Sequence, residues 1–203
     1  MKNTVPDLPS QLEAAPASLA ERTVRQEPIL QGGFLQVWRD EIALPNGALA
    51  TREYVRHSGA VVIVACLPEG RYLVEYQYRY PMRRAMIEFP AGKIDAGEAG
   101  LPCAQRELLE ETGFAARQWA FAGTMHNCIA YSDEHIDIWF AKDLHFHGQK
   151  LDVGEFLQVY AATLPELLQR VRNGQLTDAK TLSALLWLQQ ANSGAWPLDW
   201  QTV

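Results

Sequence analysis

The stretch Gly92-Lys93-Ile94-Asp95-Ala96-Gly97-Glu98-Ala99-Gly100-Leu101-Pro102-Cys103-Ala104-Gln105-Arg106-Glu107-Leu108-Leu109-Glu110-Glu111-Thr112-Gly113-Phe114 decides how this chain is read. Its second half has helical spacing. Leu101, Ala104 and Leu108 fall at i, i+3 and i+7, and Gly113 stands where helices commonly end on a left-handed residue. On such a helix Glu107 and Glu111 are i,i+4 neighbours, with Glu110 beside them. Like charges stacked in this way cost an isolated helix roughly 0.2–0.5 kcal/mol per pair. Stability alone does not select them, whereas hard divalent cations take clustered carboxylate oxygens. Arg106 is placed to pair with Glu110 or to reach back to Glu98 and hold the preceding loop. A solvated acidic helix face is the alternative reading of these glutamates.

Outward from this segment, Met86-Ile87-Glu88-Phe89 reads as a short strand leading into the glycine. Ala60-Val61-Val62-Ile63-Val64-Ala65-Cys66-Leu67 is a continuous apolar run, the pattern of a strand buried on both faces. After the turn Pro68-Glu69-Gly70 the chain returns as a strand over 72–78. Further strands are expected over 119–125, 136–141 and 156–161. Thr163-Leu164-Pro165-Glu166 is a capping box for a second helix, stopped at Asn173-Gly174. Asp178 caps a third, carrying Leu182, Leu185, Leu186 and Leu188 and ending near Ser193-Gly194.

Toward the N-terminus, Phe34, Leu35, Val37 and Trp38 suggest a strand, and 48–55 a second, joined through Asn46-Gly47. Such a hairpin needs a cover for its apolar face. Residues 1–26 read as a loosely held arm, with a short helix considered over 12–22. The expected organisation is therefore an arm over 1–26, a β subdomain over 27–57 and a catalytic α/β domain over 58–203.

The 203 residues carry 18 Lys plus Arg against 24 Asp plus Glu, a net charge of −6. This balance argues against holding nucleic acid by phosphate neutralisation, but leaves room for a small anionic substrate met by local arginines. Cys66, Cys103 and Cys128 are odd in number and widely spaced, so neither a disulfide framework nor a structural zinc site is expected. No membrane-spanning run and no signal-peptide core are evident, and a reduced, cytoplasmic enzyme or binding protein is the default.

The opening segment matches the Nudix box, G-x5-E-x7-R-E-U-x-E-E-x-G-U with U apolar, at every position. A chance match at one start point has a probability on the order of 10⁻⁹ from average residue usage. That decides against a generic acidic face, and the chain resembles a Nudix hydrolase. The resemblance implies an α/β/α sandwich around a mixed sheet and hydrolysis of a nucleoside diphosphate linked to another moiety. It implies Mg²⁺, with Mn²⁺ as a substitute, held by Glu107, Glu111, the neighbouring Glu110 and the backbone carbonyl of Ala91. Glu98, Arg106 and Glu110 enter the catalytic set with the box.

Outside the box, Gln77-Tyr78-Arg79 and Glu88-Phe89-Pro90-Ala91-Gly92 are similar to the pattern of ADP-ribose pyrophosphatases, as are the N-terminal hairpin and Gly174-Gln175-Leu176-Thr177-Asp178-Ala179-Lys180-Thr181-Leu182. In those enzymes N-terminal strands are exchanged across a homodimer and help build the substrate site. By position, Phe34 matches an aromatic that stacks on adenine, with a strand-core role as the alternative. Arg79 matches a phosphate-contacting arginine. Arg52 and Arg56 share one strand face, toward substrate or toward water. Glu88 holds a ribose, orients Arg79 or sits at a strand edge. Glu155, before a Phe-x-x-Val strand, is the candidate base or additional metal ligand, with Asp152 in reserve. One departure concerns substrate. Where many ADP-ribose enzymes carry Ser-Pro-Gly, this chain has Ala130-Tyr131-Ser132, followed by the retained Asp133-Glu134, and Glu134 is carried as a substrate-binding candidate.

Overall fold

The computed structural model describes Leu8 and residues 16–203. The chain divides into two compact units, Met1–Arg56 and His57–Val203.

The first unit contains an antiparallel sheet of β1 (Arg22–Gln31), β2 (Gln36–Ala43) and β3 (Leu49–Arg56), in that order. The β2–β3 hairpin turns at Asn46-Gly47, where Gly47 has φ 84° and the Asn46 side chain accepts from the Ala48 N–H at 3.0 Å. Three expectations are corrected. Residues 22–26 belong to β1, paired from Arg22 with Ala43, and not to an arm. The hairpin is thus a three-stranded sheet. Phe34 lies in the β1–β2 connection at 67% exposure, outside any strand, because Gly32 and Gly33 turn the chain and the Gly32 N–H bonds the Leu35 carbonyl. Of the helix considered over 12–22, residues 12–15 lie outside the described residues, and the rest holds a turn and the start of β1.

The second unit is built on an eight-stranded sheet. Its strands are β4 (Ala60–Leu67), β5 (Arg71–Arg79), β6 (Arg84–Glu88), β7 (Ala91–Lys93), β8 (Phe114–His126), β9 (His135–Phe146), β10 (Leu157–Thr163) and β11 (Gln201–Thr202). The main order is β10-β5-β4-β9-β8-β11, with β6 added to β5 and β7 to β4. The β4–β9 pair is parallel and its neighbours are antiparallel, so the sheet is mixed. Among the described residues no helix is long and apolar enough to cross a membrane.

The run at 60–67 explains the layering. Val61, Ile63 and Ala65 pack beneath α1 (Gly100–Thr112) with Cys103, Ala104 and Leu108. Val62 and Val64 face the other way, with Leu167 of α2 (Leu164–Arg172) and Ala184, Leu185 and Leu188 of α3 (Ala179–Asn192). Alternation along one strand thus supplies both cores of an α/β/α sandwich. The capping box at Thr163 and Glu166 and the Asp178 cap form as the sequence predicts. Of the four leucines assigned to α3, Leu185 and Leu188 are core, while Leu182 and Leu186 are exposed.

Candidate active site

Helix α1 ends on Gly113 at φ 77°, whose N–H bonds the Leu109 carbonyl. Its buried face fixes the rotation of the helix, and the rotation fixes the glutamates. Arg106 does both things its spacing allows. Nε and Nη2 grip the two oxygens of Glu98 at 3.0 and 2.8 Å, and Nη2 also reaches the Lys93 carbonyl at 3.2 Å. Nη1 donates to Glu107 at 2.7 Å and to Glu110 at 3.2 Å. The guanidinium fork holds the Glu98 carboxyl down to about 2. The loop over 93–98 is thereby fastened to the helix.

Glu111 faces inward and is 4% exposed, with Oε2 accepting from the Ala91 N–H of β7 at 3.0 Å. Burial, followed by the nearby charges of Glu75 and Glu107, raises its carboxyl well above the ordinary range. Burial also raises Glu107, against the pull of Arg106. Gly92 is where the chain passes Glu107 most closely. A Cβ there would stand 1.8 Å from Glu107 Cδ. The obstructed atom is the end of a flexible side chain, so Gly92→Ala is expected to fold but to drive the Glu107 carboxylate from its place. Turnover should fall on the order of 100-fold, the scale of a misplacement of about 1 Å. The melting temperature should fall by only a few degrees, on the order of a 1 kcal/mol loss. Parallel assays and melts check this, and unchanged turnover would show that Glu107 is not needed where it lies.

Strand β5 supplies the opposite wall. Glu75, Gln77 and Arg79 alternate along one face of this strand, beyond the core residue Leu73. Arg79 closes a bidentate pair with Glu88 of β6, both bonds at 2.7 Å. Lys180 of α3 bonds the same carboxylate and Asp178. Burial works to raise Glu88, but the Arg79 fork and Lys180 outweigh it and hold the group below the usual range. Glu88, the last residue of β6, is 2% exposed and holds both Arg79 and Lys180.

Gln77 donates to Glu155 Oε1 at 3.3 Å, and the Asp152 N–H meets Oε2 at 3.4 Å. Glu155 is half-buried, and its charge acts on Glu75, Glu107 and Glu111. The structure therefore brings Glu155 to the box from far along the chain, while Asp152 is exposed.

Other candidates have partners of their own. Glu134 accepts from Asn127 at 2.9 Å and lies 3.6 Å from His57 Nδ1, while the His57 N–H bonds Asp133 at 2.8 Å. These bonds fasten the loop before β9. In the first unit, Arg52 pairs with Glu21 at 2.5 Å, and Arg56 lies over the Trp38 ring at 3.7 Å and bonds the Tyr54 hydroxyl. Their shared strand face holds Asp40, bonded by Gln26 and Tyr54. Cys103 is fully buried, and burial pushes its thiol up to about 12, as befits a packing residue. Two residues of the second unit's site were not found by sequence reasoning: Glu75 and Lys180. Lys180 sits inside the Gly174–Leu182 stretch already singled out. Glu75 had no local signal.

The family model of the NUDIX domain matches residues 55–192. This chain belongs to the Nudix family. An ADP-ribose pyrophosphatase of Bacillus subtilis is 36% identical, over 85% of this chain and 94% of its own length. A methanol dehydrogenase activator of Bacillus methanolicus is also 36% identical, over 83% of this chain and 92% of its own. The fold matches a solved ADP compounds hydrolase with a TM-score of 0.79, at 24% identity, over 87% of this chain and 97% of that one. The protein is a Nudix hydrolase with the box glutamates intact.

Nudix hydrolases generally use a divalent metal. The inward-facing donors here are all oxygens, as a hard cation requires. Buried Glu75 and Glu111 place carboxyl groups against each other with little compensating positive charge, an arrangement that a cation relieves. Among the described residues no three acidic, histidine or cysteine side chains yet converge tightly enough to hold an ion, because Glu107 and Glu110 lie on Arg106.

Proposed function

We propose that this Nudix hydrolase cleaves ADP-ribose to AMP and ribose 5-phosphate with Mg²⁺, Mn²⁺ being able to substitute. One observation carries the reading: a fixed guanidinium, Arg79 locked by Glu88, shares a strand face with Glu75, the buried carboxyl beside Glu111. A pyrophosphate needs both, a cation for its outer oxygens and metal ligands for the bridge. The name of the Bacillus subtilis relative supplies the substrate.

In this reading Glu107, Glu111, Glu110 and the Ala91 carbonyl would hold the metal, which when bound would supply charge neutralisation for the pyrophosphate and activation of the attacking water. Arg79 binds phosphate oxygens, and Glu88 and Lys180 keep it from turning away. Glu155 takes the proton from the attacking water, its carboxylate oriented by Gln77. The new P–O bond forms from that water, the bridging P–O bond breaks, and the bridging oxygen leaves with one product phosphate. Arg106 and Glu98 fix the box loop. Glu134 shapes the neighbouring loop toward the sugar. Phe34, Arg52 and Arg56 serve the adenosine end in a homodimer formed through the N-terminal strands. Exposed Ile29, Leu30, Phe34, Leu35 and Leu49 support that pairing. Three free cysteines suit a reducing, cytoplasmic setting.

The altered tripeptide at Ala130-Tyr131-Ser132 keeps a second reading open: another nucleoside diphosphate sugar such as GDP-mannose, or an adenine dinucleotide. The test uses one sample, first weighed by light scattering, where twice the chain mass is expected. It is then assayed with ADP-ribose, GDP-mannose, NADH and diadenosine compounds in Mg²⁺. ADP-ribose should give the highest kcat/KM. No AMP from ADP-ribose overturns the substrate, and a monomer of full activity overturns the exchanged dimer.

A further inference from the structure

Glu75 lies in the middle of the sheet. It is opposite Glu88 of β6 on one side and Val159 of β10 on the other. It is 3% exposed, and its Oε1 has no hydrogen-bond partner among the described residues. Its carboxyl neighbours that of Glu111, and the charges of Glu155 and Glu88 also bear on it. The nearest cation, Arg79, spends its fork on Glu88.

A carboxyl group is costly at such a position. Leaving a buried polar atom without a partner costs about 1–3 kcal/mol, more if it is charged. Leu73, the preceding residue on the same face, shows what packing alone selects there. The orphan oxygen sits in the one part of the molecule where Glu75, Glu107, Glu111 and Glu155 act on one another. Hard cations recruit oxygens so placed.

We infer that Glu75, outside the Nudix box, is a further carboxylate of the metal site, directed at an ion shared with Glu111. This rests on the reading of Glu111 as a metal ligand and adds a donor from β5, on the side of the site opposite helix α1. It also accounts for two buried acids set together: the ion is the missing partner of the Glu75 oxygen, beside Glu111, whose own Oε2 is held by the Ala91 N–H. The neighbouring Gln77 and Arg79 then place the base and the phosphate contact on the same strand, so that β5 registers metal, water and substrate relative to one another.

The test is Mn²⁺ binding, followed by electron paramagnetic resonance and calorimetry, for the wild type, Glu75→Gln and Glu111→Gln, together with melts of each with and without Mn²⁺. Glu75→Gln should bind Mn²⁺ at least tenfold more weakly or lose one ion, and its metal-free melting temperature should equal or exceed that of the wild type. A purely structural glutamate gives the reverse: a lower metal-free melting temperature and unchanged Mn²⁺ binding, which overturns the inference. If Glu111→Gln also binds Mn²⁺ as the wild type does, the metal reading of the box itself fails, a result distinct from failure at Glu75 alone. If Glu75→Gln does not fold, Glu75→Leu decides. Folding of the leucine variant with weakened Mn²⁺ binding upholds the role, and its failure to fold assigns Glu75 to structure and overturns it.

Discussion

Glu111→Gln is expected to lower kcat by at least two orders of magnitude while leaving the fold intact. The side chain is almost fully buried, and one oxygen already accepts from the Ala91 N–H. An amide oxygen can accept that same bond, and the change removes a group whose ionised form burial disfavours. The metal-free protein should therefore melt no lower than the wild type. What disappears is a full negative charge at the point where β7 and α1 approach. Loss of a direct ligand exceeds the 10–100-fold commonly seen on removing the outer groups that merely orient ligands, so on the order of 100-fold is a lower bound. Raising Mg²⁺ should recover little, because the amide is a poor ligand for a hard cation. Near-normal turnover of Glu111→Gln at saturating Mg²⁺, measured beside its melt, would remove Glu111 from the metal site. Glu110→Gln is the natural comparison. Its side chain is 35% exposed and bonds Arg106, so it should lose less.

What could be read from the sequence depended on whether the signal was local. The box is a fixed spacing, and the rotation of α1 follows from Ala104 and Leu108 with no knowledge of the sheet. The run at 60–67 announced a strand covered on both faces because every residue in it is apolar. Strand β1 gave no such signal. Arg22–Gln31 is exposed at nearly every position and contains Pro28, so neither alternation nor burial marks it, and only pairing with β2 reveals it. Phe34 was drawn into a strand by its hydrophobicity, but the two glycines before it turn the chain. Glu75 went unseen for the opposite reason. An acidic residue between Val74 and Tyr76 in a strand reads as a solvent-facing position, and only the register of β5 with β6 and β10 puts it inside. Lys180 lay in a stretch already marked as informative, yet its partner Glu88 is 92 residues away. Cross-strand and helix-to-sheet partners are the part of a site that spacing along one chain segment cannot show.

Arg106→Ala should do the greatest damage to the site as a structure. A single guanidinium serves Glu98, Glu107, Glu110 and the Lys93 carbonyl. Its removal leaves three carboxylates near one another with nothing to neutralise them and frees the loop that carries Gly92 toward the helix. Breaking a fully buried ion pair costs about 3–5 kcal/mol. The Arg106 side chain is 30% exposed, which screens the loss, and roughly 2 kcal/mol is expected. The pH dependence identifies the cause. Arg106 depresses the Glu98 carboxyl to about 2 in the folded state. A depressed carboxyl contributes stability that is complete above its unfolded pKa of about 4.3 and is lost as pH falls toward its folded value. The gap in melting temperature between wild type and Arg106→Ala should accordingly be full at pH 7 and narrow between about pH 4 and pH 2. A constant gap across that range would assign the loss to packing. Arg106→Lys retains the charge but cannot grip both Glu98 oxygens while reaching Glu107 and Glu110, since an ammonium lacks the fork. It should restore part of the stability and little of the turnover. Equal recovery of both would show that charge alone, and not the geometry of the fork, organises the glutamates of the box.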